Sequence, residues 1–249
     1  MLALTVDVGK LKRILTYGGV FVDECKLQIK EGCIEMSAID ERQIGMMSVV
    51  VEDDVFDSFE SKSGTAGLPI GKLIDVLEIV GGDSSQVRLY IDDDLEDLSL
   101  SCNGLDYTMK LVNPDVIDTS NSVDDLSLGA TIVLPGDIFN EVVTGMGGIY
   151  SFVEFKFDEE TESAELFAEN KESTFNPVLS KDELLKYEMI DCNATYRVEY
   201  LDQIRSVVDD ELNIAIQSDD EHPARIKFKT DGGNCSTEYV LAPRVDTGA

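Results

Sequence analysis

Apolar residues recur at helical spacing in four stretches, and each stretch is followed by runs in which apolar and polar residues alternate. The helical stretches begin near Asp7 (DVGKLKRILTYGG), Pro69 (PIGKLIDVLEIVGG), Pro135 (PGDIFNEVVTGMGG) and Glu199 (EYLDQIRSVVDD). They start about 60–65 residues apart, so one helix-plus-strands unit is used four times. Such a period points to a stacked or ring architecture rather than to one catalytic pocket.

The first stretch gathers Val8, Leu11 and Leu15 on one face and leaves Lys10, Lys12 and Arg13 off it. Gly18-Gly19 stops it. Strands are expected at Glu24–Lys30, Ile34–Ile39 and Ile44–Val51. The second helix buries Leu73, Ile74, Leu77 and Val80 and ends at Gly81-Gly82; strands follow at Gln86–Ile91, Asp97–Cys102 and Leu105–Val112. Asn103-Gly104 between the last two is a hairpin turn signal. Residues 113–125 (NPDVIDTSNSVDD) carry no sustained period and read as a linker. Beyond it the plan repeats. The third helix carries Ile138, Phe139, Val142 and Met146, with strands at Phe152–Phe157, Ala164–Ala168 and Ser173–Leu179. The fourth carries Leu201, Ile204, Val207 and Val208, with strands at Asn213–Gln217, Ala224–Lys229 and Cys235–Leu241. The expected organisation is α+β: domains at 1–112 and 126–249, joined by 113–125, each an antiparallel sheet carrying two helices.

Charge changes this picture. The chain has 20 basic and 50 acidic residues in 249, a net charge of −30. The carboxylates are scattered between strands and turns, which reads as the solvating surface of a protein from concentrated salt. A DNA mimic or acidic interaction protein is the alternative, and it would gather its charge in blocks. The 43% hydrophobic content suffices for a core. No signal peptide and no apolar run of about 18 residues is present, so a cytoplasmic protein without membrane contact is expected. Five cysteines without a CxxC pair read as free thiols.

Catalysis finds little footing. The single histidine, His222, stands in a turn-like SDDEHPAR context, and no catalytic triad can be built on it. Asp92-Asp93-Asp94 with Glu96 and Asp97 lacks the glycine and terminal glutamate of a calcium loop and reads as a solvated hairpin tip. The glycine pairs follow helices, whereas a phosphate cradle needs them before one. No catalytic residue, metal or cofactor is expected. The basic residues say more. Lys10, Lys12 and Arg13, then Lys72, then Arg205 all lie off the apolar faces of equivalent helices, while the third helix has Asp137 and Glu141 instead.

Three local patterns carry a resemblance. They are Tyr239-Val240-Leu241-Ala242-Pro243-Arg244-Val245 at the end, Met36-Ser37-Ala38-Ile39-Asp40 followed by apolar Ile44–Met47, and Leu105–Leu111 leading into the linker. In this order, with the fourfold helix, they resemble the archaeal proliferating cell nuclear antigen type of DNA sliding clamp over essentially the whole chain. The acidic composition suggests a haloarchaeal or halophilic-virus member.

The resemblance implies a homotrimeric ring of six domains, with helices lining the hole and sheets outside. It implies a non-catalytic processivity factor that encircles duplex DNA and tethers DNA polymerase, the clamp loader and other proteins with a short peptide motif. Lys10, Lys12, Arg13, Lys72 and Arg205 would face DNA. The family's peptide pocket, carried over by position, falls on Ile39, Ile44 and Met46, with Pro223, Val240, Ala242 and Pro243 beside them. Val116, Ile117 or Val123 of the linker would cover it. Val240 stands where many members have an aromatic, which makes the pocket shallower. Subunits would join edge to edge, Leu105–Val112 against Ser173–Leu179, through Tyr107, Met109, Lys110 and Leu111 on one side and Phe175, Pro177 and Val178 on the other. Pro177 departs from the pattern because proline cannot donate to a ladder.

Overall fold

In the first strand, Leu2, Leu4 and Val6 alternate with polar neighbours and point into a core. In the next segment the spacing of apolar residues changes from two to that of a helix. The chain turns there without a loop: β1 (Leu2–Asp7) runs directly into α1 (Val8–Gly18). The computed structural model describes residues 1–119, 127–188 and 190–244.

The chain divides into two units. The first comprises Met1–Asp40, Met46–Ser120 and Lys229–Thr237; the second comprises Glu41–Gly45, Asn121–Phe228 and Glu238–Ala249. After α1 the first unit continues with β2 (Cys25–Lys30), β3 (Cys33–Ile39), β4 (Gly45–Glu52), β5 (Ser58–Ser61), β6 (Gly64–Leu68), α2 (Ile70–Val80), β7 (Gln86–Ile91), β8 (Asp97–Cys102) and β9 (Leu105–Lys110). Its strands follow the orders β5-β1-β7-β8-β9 and β4-β3-β2-β6, with antiparallel pairs. Helices α1 and α2 lie side by side.

The second unit repeats this plan: β10 (Ala130–Pro135), α3 (Gly136–Met146), β11 (Phe152–Asp158), β12 (Ser163–Glu169), β13 (Thr174–Phe175), β14 (Val178–Ser180), β15 (Lys186–Glu188), β16 (Cys192–Arg197), α4 (Val198–Arg205), β17 (Asn213–Ser218), β18 (Ala224–Thr230) and β19 (Cys235–Leu241), of which residues from Lys229 to Thr237 belong to the first unit. Within it the orders are β15-β10-β17-β18 and β13-β12-β11-β16, and α3 lies beside α4. The order β13-β12-β11-β16 matches β4-β3-β2-β6 strand for strand, and β15-β10-β17-β18 matches β5-β1-β7-β8. The repeat visible in the sequence is therefore a repeat of topology.

Sequence cues account for most boundaries. Gly19, Gly81 and Gly147 cap the first three helices. Asn103 and Gly104 have φ of 52° and 79°, the left-handed pair that a tight hairpin between β8 and β9 demands.

Four expectations need correction. Ser173–Leu179 is two short strands, interrupted at Asn176-Pro177. Both strands keep one register against β12, Ala168 opposite Phe175 and Glu165 opposite Val178. Pro177 has no N–H to give, but its carbonyl accepts from Leu166 N at 3.1 Å. Strand β9 ends at Lys110, and Val112 instead bridges Gly67. Helix α4 ends at Arg205, so Val207 and Val208 follow it. Strands β1, β5, β6, β10, β15 and β16 are additions to the strands that the sequence pattern predicts.

Candidate DNA-facing and partner-binding surfaces

Burial of Val8, Leu11, Ile14 and Leu15 fixes the rotation of α1 and turns its cations outward. There they meet carboxylates of their own unit. Arg13 donates from Nη2 to both oxygens of Asp231, at 3.1 and 3.2 Å. Lys10 Nζ donates to Val55 O at 3.2 Å and lies 3.8 Å from Asp231 Oδ1. Lys12 Nζ stands 3.9 Å from Glu78 and 4.0 Å from Asp83. Lys72 on α2 is exposed and makes no ion pair among the described residues. In the second unit, Arg205 Nε donates to Asp202 Oδ1 at 2.8 Å, one turn back on α4. Asp137 and Glu141 of α3 are exposed.

Thus four of the five basic residues singled out from the sequence are paired with carboxylates. Asp231 is the partner that sequence reasoning missed. It lies 218 residues from Arg13, in a turn where its own φ is 52°, and its side chain is only 13% exposed. Asp202, three residues before Arg205, was legible as a helical pair.

The residues assigned to a peptide pocket fall in both units. In the first, Ile39 and Met46 are directly opposed on β3 and β4, and both are half-buried. Ile39 N donates to Asp118 O at 3.0 Å, which brings the segment after β9 beside them. In that segment Ile117 is buried at 8% exposure, while Val116 is 69% exposed. Val123 lies outside the described residues. In the second unit, Ala242 N donates to Ile44 O at 2.8 Å. Ile44, Ala242, Pro243 and Pro223 are half-buried, and Pro223 stands in the turn before β18. Val240 is buried and belongs to the core.

Two of the terminal strands bear exposed apolar side chains. Strand β9 is the last of its sheet and exposes Leu105 and Tyr107, with Lys110 exposed and Met109 and Leu111 half-buried. In the second unit β13 closes the order and β14 continues along the same side of β12. Phe175 and Pro177 are half-buried there, and Val178 is exposed. Edges bearing apolar side chains are templates for pairing.

The thiols carry no reactive signature. Burial pushes Cys25 and Cys235 up, and burial with Asp219 and Asp220 pushes Cys192 up to about 11. Among the described residues no cluster of His, Cys, Asp and Glu has a metal-binding arrangement, and no helix is long and apolar enough to cross a membrane.

No family model matches the chain. It is 27% identical over 243 residues to the DNA polymerase sliding clamp of Haloarcula marismortui, covering 97% of this chain and 98% of that one. It is 25% identical over 248 residues to the clamp of Natronomonas pharaonis, covering 99% and 100%. Among solved structures, A. fulgidus PCNA bound to the C-terminal region of FEN-1 superposes with a TM-score of 0.90 at 21% identity, over the whole of both chains. PCNA from Thermococcus kodakaraensis superposes with a TM-score of 0.86 at 17% identity, over 98% of this chain and 100% of that one. The DNA-mimic alternative is not favoured by these similarities. The fold is that of the proliferating cell nuclear antigen, and fold and end-to-end sequence similarity together support a DNA polymerase sliding clamp, a processivity factor.

Proposed function

We propose that three copies of this chain close into a ring around duplex DNA and tether DNA polymerase and other replication proteins to it. The observation that carries this reading is the repeated unit with two edges that bear exposed apolar side chains. β9 of one copy has a counterpart in β13 and β14 of the next, and a closed cycle leaves neither of these two edges unpaired. Tyr107, Met109 and Leu111 would meet Phe175 and Val178 there; the donor that Pro177 lacks faces β12, to which its carbonyl already bonds, and not this edge.

Helix pairs α1/α2 and α3/α4 would line the hole. Lys72 presents a cation with no ion pair among the described residues, and Lys10, Lys12, Arg13 and Arg205 present cations already held by carboxylates. Holding DNA is then topological. In molar salt the Debye length is about 3 Å and counterion release contributes little, so a ring that needs no strong phosphate contact suits such a medium. The acidic surface and the haloarchaeal relatives support a halophilic cytoplasm as the working environment. The protein has no chemistry of its own in this reading; it is a scaffold.

Ile39, Ile44, Met46, Val116, Ile117, Pro223, Ala242 and Pro243 are the proposed receptor for partner peptides. The A. fulgidus PCNA structure, solved with the C-terminal region of FEN-1, supports peptide tails as the ligand class. Sedimentation across a KCl series tests assembly. A particle of three times 27.4 kDa is expected in molar KCl, dissociating at low salt as the subunits repel. A monomer at every salt concentration contradicts the ring.

A further inference from the structure

Both apolar edges are closed at their ends by bonds of their own chain. In β9, Leu111 N donates to Glu96 O at 2.8 Å, continuing the register in which Tyr107 opposes Leu100. Leu105, Tyr107, Met109 and Leu111 therefore turn their backbone groups toward β8, and Asp106, Thr108 and Lys110 turn theirs outward. The next outward residue, Val112, is taken, because it exchanges two bonds with Gly67, at 2.8 and 3.0 Å. At the other end the Asn103-Gly104 turn precedes Leu105.

The edge of the second unit is closed in the same manner. Leu166 N donates to Pro177 O at 3.1 Å and Asn170 N to Ser173 O at 3.0 Å. Ser173, Phe175, Pro177 and Leu179 therefore face β12, and Thr174, Asn176 and Val178 face outward. The outward residues beyond them are held by side chains. Ser180 N donates to Glu183 Oε2 at 3.0 Å, and Glu172 N donates to Asn170 Oδ1 at 2.9 Å.

One antiparallel register matches the two open stretches in full. Asp106 then opposes Val178, Thr108 opposes Asn176 and Lys110 opposes Thr174. On the other face Tyr107 falls opposite Pro177, and Met109 falls opposite Phe175, whose ring already stacks on Tyr150 at 6.4 Å. A slip of two residues one way sets Asp106 O against the Ser180 N–H that Glu183 holds. The opposite slip sets Lys110 O against the Glu172 N–H that Asn170 holds, in a register that attraction between Lys110 and Glu172 would otherwise favour.

We propose that Glu183 and Asn170 are positioning residues that fix the register of the subunit seam, by holding the backbone donors just beyond its two ends. This rests on the ring reading and specifies how its seam is aligned. Register is otherwise weakly set where strands of different copies meet along exposed edges.

The test is disulfide trapping in molar KCl, on a Cys33→Ser background because Cys33 is the one thiol that is not buried. Thr108→Cys is combined in turn with Thr174→Cys, Asn176→Cys and Val178→Cys. Opposed residues stand about 5.5 Å apart between Cα atoms, within disulfide reach, and residues two positions out of register stand about 9 Å apart, beyond it. The Asn176→Cys pair should give the predominant link, as a covalent trimer. Glu183→Ala should raise the Val178→Cys link about fivefold relative to the Asn176→Cys link, the worth of one hydrogen bond regained by the slipped register. Asn170→Ala should raise the Thr174→Cys link by the same factor. Glu183→Gln keeps an acceptor and should keep the parent's ratio. A trimer in which the Asn176→Cys link does not predominate overturns the proposal and leaves the ring standing. A ratio that an alanine variant leaves unmoved overturns the role of that residue. A covalent dimer from Thr108→Cys alone shows that β9 pairs with a second β9, and overturns the proposed register as well. A protein that stays monomeric in molar KCl overturns the ring and the register together.

Discussion

Replacing Asp231 with asparagine should tighten the grip on DNA. The Asp231 carboxylate takes two bonds from Arg13 at 3.1 and 3.2 Å and stands 3.8 Å from Lys10. It occupies both cations as a phosphate would. Asparagine keeps the size and one oxygen acceptor but removes the charge, freeing two cations for phosphate contact. Each contact adds about 0.9 to the slope of log affinity against log salt, so two add about 1.8. With affinities equal at 1 M KCl, that slope gives a gain of about ninefold at 0.3 M. The pair is partly exposed, so the loss of stability should stay near about 0.5–1 kcal/mol. Fluorescence anisotropy with a short labelled duplex, titrated with KCl, reads both slope and affinity. Parallel lines for parent and variant refute the reasoning, because they show that Arg13 and Lys10 do not meet phosphate when released. Weaker binding by the variant refutes it too, and makes Asp231 a support for Arg13 rather than its competitor.

Met46→Asp should abolish binding of a partner peptide and leave the trimer intact, whereas Val240→Asp should unfold the second unit because Val240 is buried; calorimetry paired with thermal melting separates the two. Gly67→Ala should cost about 1–3 kcal/mol of stability, since the added Cβ would stand 2.5 Å from Val112 O across a backbone pair, and an unchanged melting temperature contradicts this. Among the carboxyls of the second unit held below their usual range are Asp158, by the Thr161 backbone, Glu162, by Lys181 and then Tyr187, and Glu183, by the Ser180 backbone and hydroxyl. Lowered folded values mean stability that is present above the ordinary carboxylate range and lost as pH falls below it through the lowered values. Hydrogen-exchange protection in β11, β12 and β14, relative to the unfolded rate at each pH, should therefore fall below about pH 4, less so in Asp158→Asn.

The sequence read well wherever local chemistry decides structure. The four helices follow from apolar spacing and glycine stops, and the β8–β9 hairpin follows from Asn103-Gly104. Strand β1 carries the alternation of Leu2, Leu4 and Val6 plainly, but it abuts α1 with no turn residue to separate them. Strand β6 (GTAGL) offers glycines where side chains should alternate, because Gly67 meets Val112 backbone to backbone. Val207-Val208 looked helical, yet these residues lie past the end of α4. For the surfaces, sequence gave the cations and not their partners. A helix face exposes Arg13, but only the fold brings Asp231 to it. The same holds for Phe152, whose ring gathers Arg197 from the end of β16 and Arg244 from beyond β19. Charge at a distance along the chain is invisible to periodicity.

The central claim is that DNA is held by enclosure. It is tested most directly by loading labelled protein with its clamp loader onto a nicked circular plasmid in molar KCl, then isolating the complex by gel filtration before and after the circle is cut. Enclosure predicts that protein stays with the circle at a salt concentration where a short duplex shows no binding, and that it leaves once the DNA has free ends. Equal retention on circular and linear DNA, or release from both, contradicts the account.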